Sequence, residues 1–446
     1  MFREFMHHFI PAAQEAGVSR LKFYVEEKKS RSISVYQGEL ERMDRAELAQ
    51  MYIEGEYEGF SGGVFVENFD VSHIKQHIRG IQEAAQYGKA AFVPYELGEL
   101  TQIGLPEYQF TDLHAALEHM YEADRIPCKM DTRILPTGQC HLKESYFCYT
   151  LADESEKCVS DVVSGGNFHI SAVAKDGDDV QSSNRSATFS GSNIPDMTML
   201  AAAAAKEAVS YLGGSSYSTG ACPVVLESRV VCELLDAFMP TFFAQSVANH
   251  MSILEGKLAQ RVAGENISIV EDPTLKDGLR CRRFDDEGVS TSRKDILSHG
   301  VLKCYLHNRR TAVENDCISG GNGFKTSVNE PVSTGYTNVV LQSGNGSLQD
   351  LAVEMGDGLL ISGVSGVFAG AHPVSGEFSL IAKGYRVENG KIGRSVKQIT
   401  IAGNFFSMLS DVIRIADDER RMLMTNGSVC APSLYVRSLM VSGKED

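Results

Sequence analysis

Apolar and polar positions change rhythm several times along the chain, and each rhythm predicts an element. Between residues 19 and 66, short runs alternate or are rich in β-forming residues: LKFYV, RSISVYQ, ELAQMYIEGEYEG and GGVFVEN. Breaks at Gly38 and at Gly62-Gly63 separate them, so the region predicts several antiparallel strands. Over residues 70–88 the period lengthens. Ile74, Ile78, Ile81 and Ala85 fall at helical spacing, with Asp70 placed to cap the start and Gly88 beyond the end. The interval 89–107 contains two prolines and little periodicity, which predicts a connecting surface loop. Residues 111–124 resume as a helix under a Thr111 cap, with Leu113, Leu117 and Met120 on one stripe. Strands return in ESYFCYTL, FHISAVAK and SSNRSATFSG, followed by a helix over 196–214 whose alanine run suits close packing. Strands followed by a helix thus occur twice, and predict two similarly built halves.

The flexible stretch GGSSYSTGA (213–221) marks the main domain boundary. The fold class is α+β. An N-terminal α+β domain covers 1–214, with subunits of about 1–88 and 108–214, and a mostly β domain covers 221–446. In the latter, PVVLESRVVCELLDAFMPTFFAQ (223–245) reads as a strand and a helix, and 291–306 as a hairpin turning at His299-Gly300. Ser347 caps a short helix. GLLISGVSG, FSLIAKGYRVENGKI and QITIAGN are β in character, with Asn389-Gly390 the strongest hairpin signal.

Composition narrows the function classes. Of 446 residues, 43% are hydrophobic and 22% charged, which allows sizeable cores and excludes long disorder. No run reaches the ~18–20 apolar residues that span a bilayer, and the first residues hold no signal-peptide core, so a cytoplasmic location without membrane contact is expected. The ten cysteines show no CxxC rhythm and read as reduced thiols. A net charge of −16 without a basic cluster argues against direct nucleic-acid binding.

The glycine-rich pieces SGGNGF (319–324) and SGVSGVFAGAHPVSGEF (362–378) lack a GK[ST] ending, and read as turns or as a cleft-lining loop beside a bound peptide. No GxSxG elbow surrounds a serine. Among the twelve histidines, His7-His8 are adjacent, His299 and His307 lie on a hairpin, and His250 precedes Glu255 by five, a spacing that does not align them on one helical face.

Three long segments occur in a particular order: EDPTLKDGLRCRRFDDEGVSTSRKDILSHGVLKCYL (271–306), GYRVENGKIGRSVKQITIAGN (384–404) and NGSVCAPSLYV (426–436). Together they resemble the TldD/PmbA family, named for modulation of DNA gyrase and regarded as metallopeptidases, and the PmbA/TldE branch in particular. The resemblance implies a zinc-binding HExxxH on the helix within 223–245. The matching positions here hold Asp236, Ala237 and Thr241, and the family's C-terminal Cys-Gly pair matches Asn426-Gly427, with Cys430 four residues later. Pro240 would also interrupt such a helix. Thr400, Gly403 and Asn404 lie in a signature read as a strand entering a tight turn, with Gly403 supplying unusual dihedrals, or as a cleft contact. The implied function is a non-catalytic subunit of a peptidase system in proteolysis and peptide maturation. Zinc would then reside only in a TldD-like partner, in a heterodimer or with a homodimer as the other assembly, acting on an extended peptide. The alternative is a self-sufficient peptidase with a displaced metal site.

Overall fold

The computed structural model describes residues 2–93, 97, 100, 104–105, 109–136, 138–190 and 194–443. The N-terminal part comprises α1 (Phe2–Glu15), β1 (Ser19–Tyr36), β2 (Glu39–Tyr57), β3 (Phe60–Val66), α2 (Ile74–Gly88), β4 (Ala90–Ala91), α3 (Leu113–Met130), β5 (Ile134–Leu135), β6 (Cys140–Asp153), β7 (Cys158–Asp176), β8 (Asp179–Ser190) and α4 (Met197–Ser210). Its strands form one eight-stranded sheet in which β1 and β6 are central antiparallel neighbours. On either side the same series runs outward, helix, three strands, helix. The sheet therefore has two halves built alike around the β1–β6 pair.

Side-chain alternation decides which partner each face receives. Phe23 and Val25 join α1 and α2 in one core, whereas Ile33, Val35 and Leu142 join α3 and α4 in another. Tyr24 and Leu151 point to the opposite face and pack with Phe284 and Val328 of the C-terminal part.

Several elements differ in detail from the sequence reading. LKFYV and RSISVYQ belong to one strand of 18 residues, β1, because the polar stretch between them stays paired with both β2 and β6. The break assigned to Gly62-Gly63 lies at Glu58-Gly59, both with positive φ. Gly62 and Gly63 sit inside β3, where any Cβ would collide with the Ile81 carbonyl of α2 and with the Tyr52 ring. The α3 cap is Asp112, which accepts from the Ala115 amide; Thr111 instead bonds Glu144 through its amide at 2.9 Å and its hydroxyl at 2.8 Å. The amphipathic helix α1 went unread, although Phe5, Met6, Phe9, Ile10 and Ala13 form its buried stripe. The loop assigned to 89–107 lies in large part outside the described residues, and its start pairs with β3 as β4. β3 covers only residues 51–57 of β2, so residues 39–50 keep an open outer edge.

The C-terminal part begins with β9 (Gly220–Leu226) and α5 (Ser228–Phe238). β9, Gly358–Ser365, Glu377–Glu388, Lys391–Asn404 and Leu434–Gly443 form a sheet that closes on itself, since Gly358–Ser365 pairs both β9 and Glu377–Glu388. The hairpin at Asn389-Gly390 has positive φ at both residues, as an Asn-Gly turn requires. A six-stranded sheet lies beside this barrel and ends at the edge strand Arg420–Leu423. No helix among the described residues is long and apolar enough to cross a membrane.

Charged groups join the two parts. Arg282, almost wholly buried, bonds Asp286 at 2.8 Å and lies 4.0 Å from the Tyr149 ring centre. Arg283 donates to Asp161 and to the Ser160 carbonyl on β7, each at 2.6 Å.

Candidate functional site

The sequence Val224-Val225-Leu226 ends β9 in the core, and Glu227 turns the chain into α5. Val230, Val231, Leu234, Leu235 and Phe238 bury one face of the helix. Arg229, Glu233 and Asp236 remain on the other, at spacings of four and three, as a polar stripe. Pro240 lacks the amide that would continue the helical ladder. The chain tightens after Phe238 into a 3-10 turn, Met239–Phe242.

The positions matched to zinc ligands have taken other tasks. Thr241 is fully buried and its hydroxyl donates to the Phe238 carbonyl at 2.7 Å, satisfying a helix-end acceptor. Asp236 accepts from the Tyr336 hydroxyl, and burial raises its carboxyl pKa against the pull of that bond. Ala237 carries no donor and packs beside the barrel core. The ring of Tyr336 lies so close to Gly427 that a Cβ at 427 would overlap it. Tyr336 thus joins the two separated segments, α5 and Asn426-Gly427, with Asn426 itself exposed.

Cys430 is buried, its thiol lies 3.6 Å from Glu419, and burial followed by that carboxylate pushes its pKa up to about 11. Zinc needs three or four ligands converging at about 2.0–2.3 Å. Asp236 is the one carboxylate in the matched set. No group of three or more His, Cys, Asp or Glu among the described residues is placed to hold a metal ion. The donor set does not fit zinc. His250 and Glu255, read as unaligned, do meet at 2.9 Å, because they lie on an exposed loop and not on a helix.

Asn404 ends the Lys391–Asn404 strand and caps a helix, Phe405–Ser410, accepting from the Phe406 amide at 3.1 Å and the Ser407 amide at 3.2 Å. A helix therefore follows where a tight turn was expected. Gly403 is not among the positive-φ residues. Its smallness serves packing, since a Cβ would come within 3.2 Å of Leu439 and 3.3 Å of Phe378. Thr400 lies within the strand, facing Ile381 and Ser442 on its two neighbours. The capped helix stacks Phe405 on Phe238 at 4.5 Å, bracing the end of α5. Asn404 also donates to the Ser375 carbonyl at 2.9 Å, which ties the glycine-rich segment 362–378 to this corner.

Two cavities follow one another along β8 and residues 420–425. A cleft of about 560 Å³ lies between the sheet face bearing Tyr24, Glu26 and Tyr149 and the C-terminal residues Arg280, Asp286 and Lys325, with Met424 and Thr425 at its rim. Burial and then Asp286 raise the Glu26 pKa. Burial and then Lys22 lower that of Lys325 to about 8. Lys325 donates to the Val328 and Glu330 carbonyls, so it holds the turn beyond it. The second cavity, about 240 Å³, is lined by Arg229 and Glu233 of α5 together with Lys383 and Arg420. Among the described residues β8 and Arg420–Leu423 are both edge strands, each with a strand partner on one side only, although Lys383 bonds the Ser182 carbonyl of β8 and the Cys232 thiol the Arg420 carbonyl. The sequence reading missed Tyr336, Glu233 and Arg420. The polar stripe on an otherwise apolar α5 was the signal available for Glu233, whereas nothing local marks Tyr336 in GYTNVV.

The architecture matches solved structures over nearly its whole length. A candidate modulator of a DNA gyrase from Thermotoga maritima superposes with a TM-score of 0.87 at 28% identity, covering 99% of this chain and 100% of that one. TldE of Thermococcus kodakarensis shares the fold with a TM-score of 0.82 at 19% identity, over 98% and 100% of the two chains. The fold is that of a metallopeptidase-like scaffold. A family model described as the PmbA/TldA metallopeptidase C-terminal domain matches residues 219–443, and the chain belongs to this PmbA/TldD family. A metalloprotease PmbA homologue of Haemophilus influenzae is 32% identical over 238 residues, 52% of this chain and 49% of the relative. An uncharacterised Methanocaldococcus jannaschii protein is 30% identical over 238 residues, 53% and 52% of the two chains. The chain spans about half the length of the curated relatives it matches.

Proposed function

We propose that this chain is a PmbA/TldE-like, non-catalytic subunit of a TldD/PmbA-type peptidase system that acts in proteolysis and peptide maturation. The observation that carries the reading is the occupation of the ligand positions on α5: Asp236 is bonded to Tyr336 and Thr241 to the Phe238 carbonyl. Zinc, its bound water and the general-base glutamate would come from a TldD-like partner. This chain would supply a wall of the reaction chamber. It would hold an extended peptide by strand addition to an open edge, β8 or Arg420–Leu423, beside the large cleft.

The test measures metal content and peptidase activity of the purified chain, alone and mixed with an HExxxH-bearing TldD-like protein. Activity that appears only on mixing, with metal in the partner alone, is expected. Stoichiometric zinc and chelator-sensitive cleavage by this chain alone would replace the reading with a self-sufficient peptidase.

A further inference from the structure

The smaller cavity has a charge arrangement that the strand-addition reading does not explain. Glu207 of α4 is clamped by Arg185 at 2.6 Å and by Arg229, and it also accepts from Ser183. Although burial opposes ionisation, the Arg185 bond and then the charges of Arg229 and Arg185 hold the Glu207 carboxyl at about 2. Arg229 additionally gives its Nε proton to the Ser362 carbonyl and lies 3.6 Å from Glu227. Lys383 donates to the Ser182 carbonyl at 2.7 Å and sits 4.4 Å from the Tyr211 ring centre.

Arg420 differs from these. Its half-buried guanidinium faces the cavity and makes no side-chain hydrogen bond or salt bridge among the described residues. Burial presses its pKa down against the pull of Glu227, and Arg185 and Arg229 press it further. Half-burying an arginine among like charges is unfavourable unless an anion completes the set. Glu233 is the other charged lining group without a hydrogen bond or salt bridge among the described residues. Burial, opposed by Arg229, lifts its carboxyl to about 7. Of the charged groups that line the cavity, Arg229, Lys383 and Arg420 outnumber the carboxyl groups Glu207 and Glu233.

We propose that this cavity binds the C-terminal carboxylate of an extended peptide, with Arg420 forking onto the carboxylate and Glu233 beside it. The proposal rests on the reading of the neighbouring strand edges as the peptide's path. Three features favour this ligand. A planar guanidinium matches a carboxylate through two parallel bonds. The volume of about 240 Å³ falls below the ~300–1,000 Å³ of pockets that enclose a drug-sized ligand, which suits a chain end. The cavity continues from the larger cleft along the same two segments, so a peptide laid there delivers its terminus to Arg420. The charged groups that line the cavity with Glu233 are Arg229 on its own helix, Arg420 on the edge strand, Lys383 on the barrel and Glu207 on α4, and of these Arg229 acts on its carboxyl. Ionised Glu233 would repel the ligand's carboxylate, so affinity falls as pH rises through neutrality.

The test uses the full chain and two sets of probes at pH 6 and pH 8. Thermal unfolding is followed with N-acetyl-alanine, N-acetyl-alanine amide or inorganic phosphate. Fluorescence anisotropy is followed with an N-terminally coumarin-labelled alanine-serine hexapeptide, as free acid and as amide. At pH 6, N-acetyl-alanine should raise the unfolding midpoint while its amide does not, and the peptide acid should bind about ten-fold more tightly than its amide. The preference should shrink at pH 8, persist there in E233Q, and be lost in R420Q. R420K keeps the charge without the fork and should retain a weakened preference, which guards against misfolding of R420Q.

Equal binding of the acid and amide peptides would overturn the carboxylate pocket and leave the strand-edge reading intact. A shift with N-acetyl-alanine but no binding of either hexapeptide would overturn the peptide assignment together with the strand-edge reading. A larger shift with phosphate than with N-acetyl-alanine would overturn the carboxylate in favour of a phosphoryl ligand. No shift and no peptide binding would overturn both readings.

Discussion

Tyr336 bonds Asp236 and packs against Gly427, which leaves no space for a larger residue at 427. Gly427→Ala places a methyl group against the Tyr336 ring, and should cost about 2 kcal/mol of stability through overpacking, measured as a lower urea midpoint at unchanged m. Glu233 gives a second expectation, with a pH signature. Its folded carboxyl keeps a proton to about 7, whereas the unfolded one loses it near the ordinary glutamate value of 4.5. Between these values the folded state binds more protons, so this residue makes stability fall as pH rises through the window. Glu233→Gln should remove that fall, with a gain of roughly 2 kcal/mol at pH 8 after allowance for solvent screening and none at pH 4, read from denaturation at the two values. Asp236, Ala237, Thr241 and Asn426 were singled out from sequence by the spacing of the family's motif. The Tyr336 bond could not, since one hundred residues of chain separate it from Asp236.

At the scale of elements, periodicity was informative wherever one face of an element is buried. Residues 70–88 show this: Ile74, Ile78, Ile81 and Ala85 are the buried residues of α2. Periodicity failed where glycine serves contact instead of turning, as at Gly62 and Gly403, because the pattern does not distinguish the two uses. The helix Phe405–Ser410 was hidden for a related reason. It is only six residues long and its start depends on the Asn404 cap. Asn404→Ala should therefore cost about 1 kcal/mol as a lost cap. The same change frees Ser375, so limited proteolysis should cut the segment 362–378 faster than in the parent chain.

For the whole molecule, the junction between the N-terminal sheet and the barrel depends on Glu207 as much as on apolar packing. Glu207→Gln leaves Arg185 and Arg229 without their shared carboxylate, and should cost about 3 kcal/mol in a denaturant titration at pH 7. The parent chain should show the matching acid limit. Glu207 is held at about 2 when folded against an ordinary glutamate value of 4.5, so its contribution is complete above 4.5 and disappears as pH falls towards 2. The Glu207→Gln variant should lack that part of the acid profile. None of this could be read from composition, because the three residues lie on β8, α4 and α5 and meet only after both parts have folded.

The open edge of β2 sets how copies of the chain behave at high concentration. Glu39, Glu41, Arg42, Asp44, Arg45 and Glu47 occupy a stretch that has β1 on one side and, among the described residues, no strand on the other. Two copies approaching edge to edge would have to strip water from these charges and hold them in a single register, which disfavours fibril-like growth. Replacing them with neutral β-formers would leave each fold intact and turn the arm into a template for self-association.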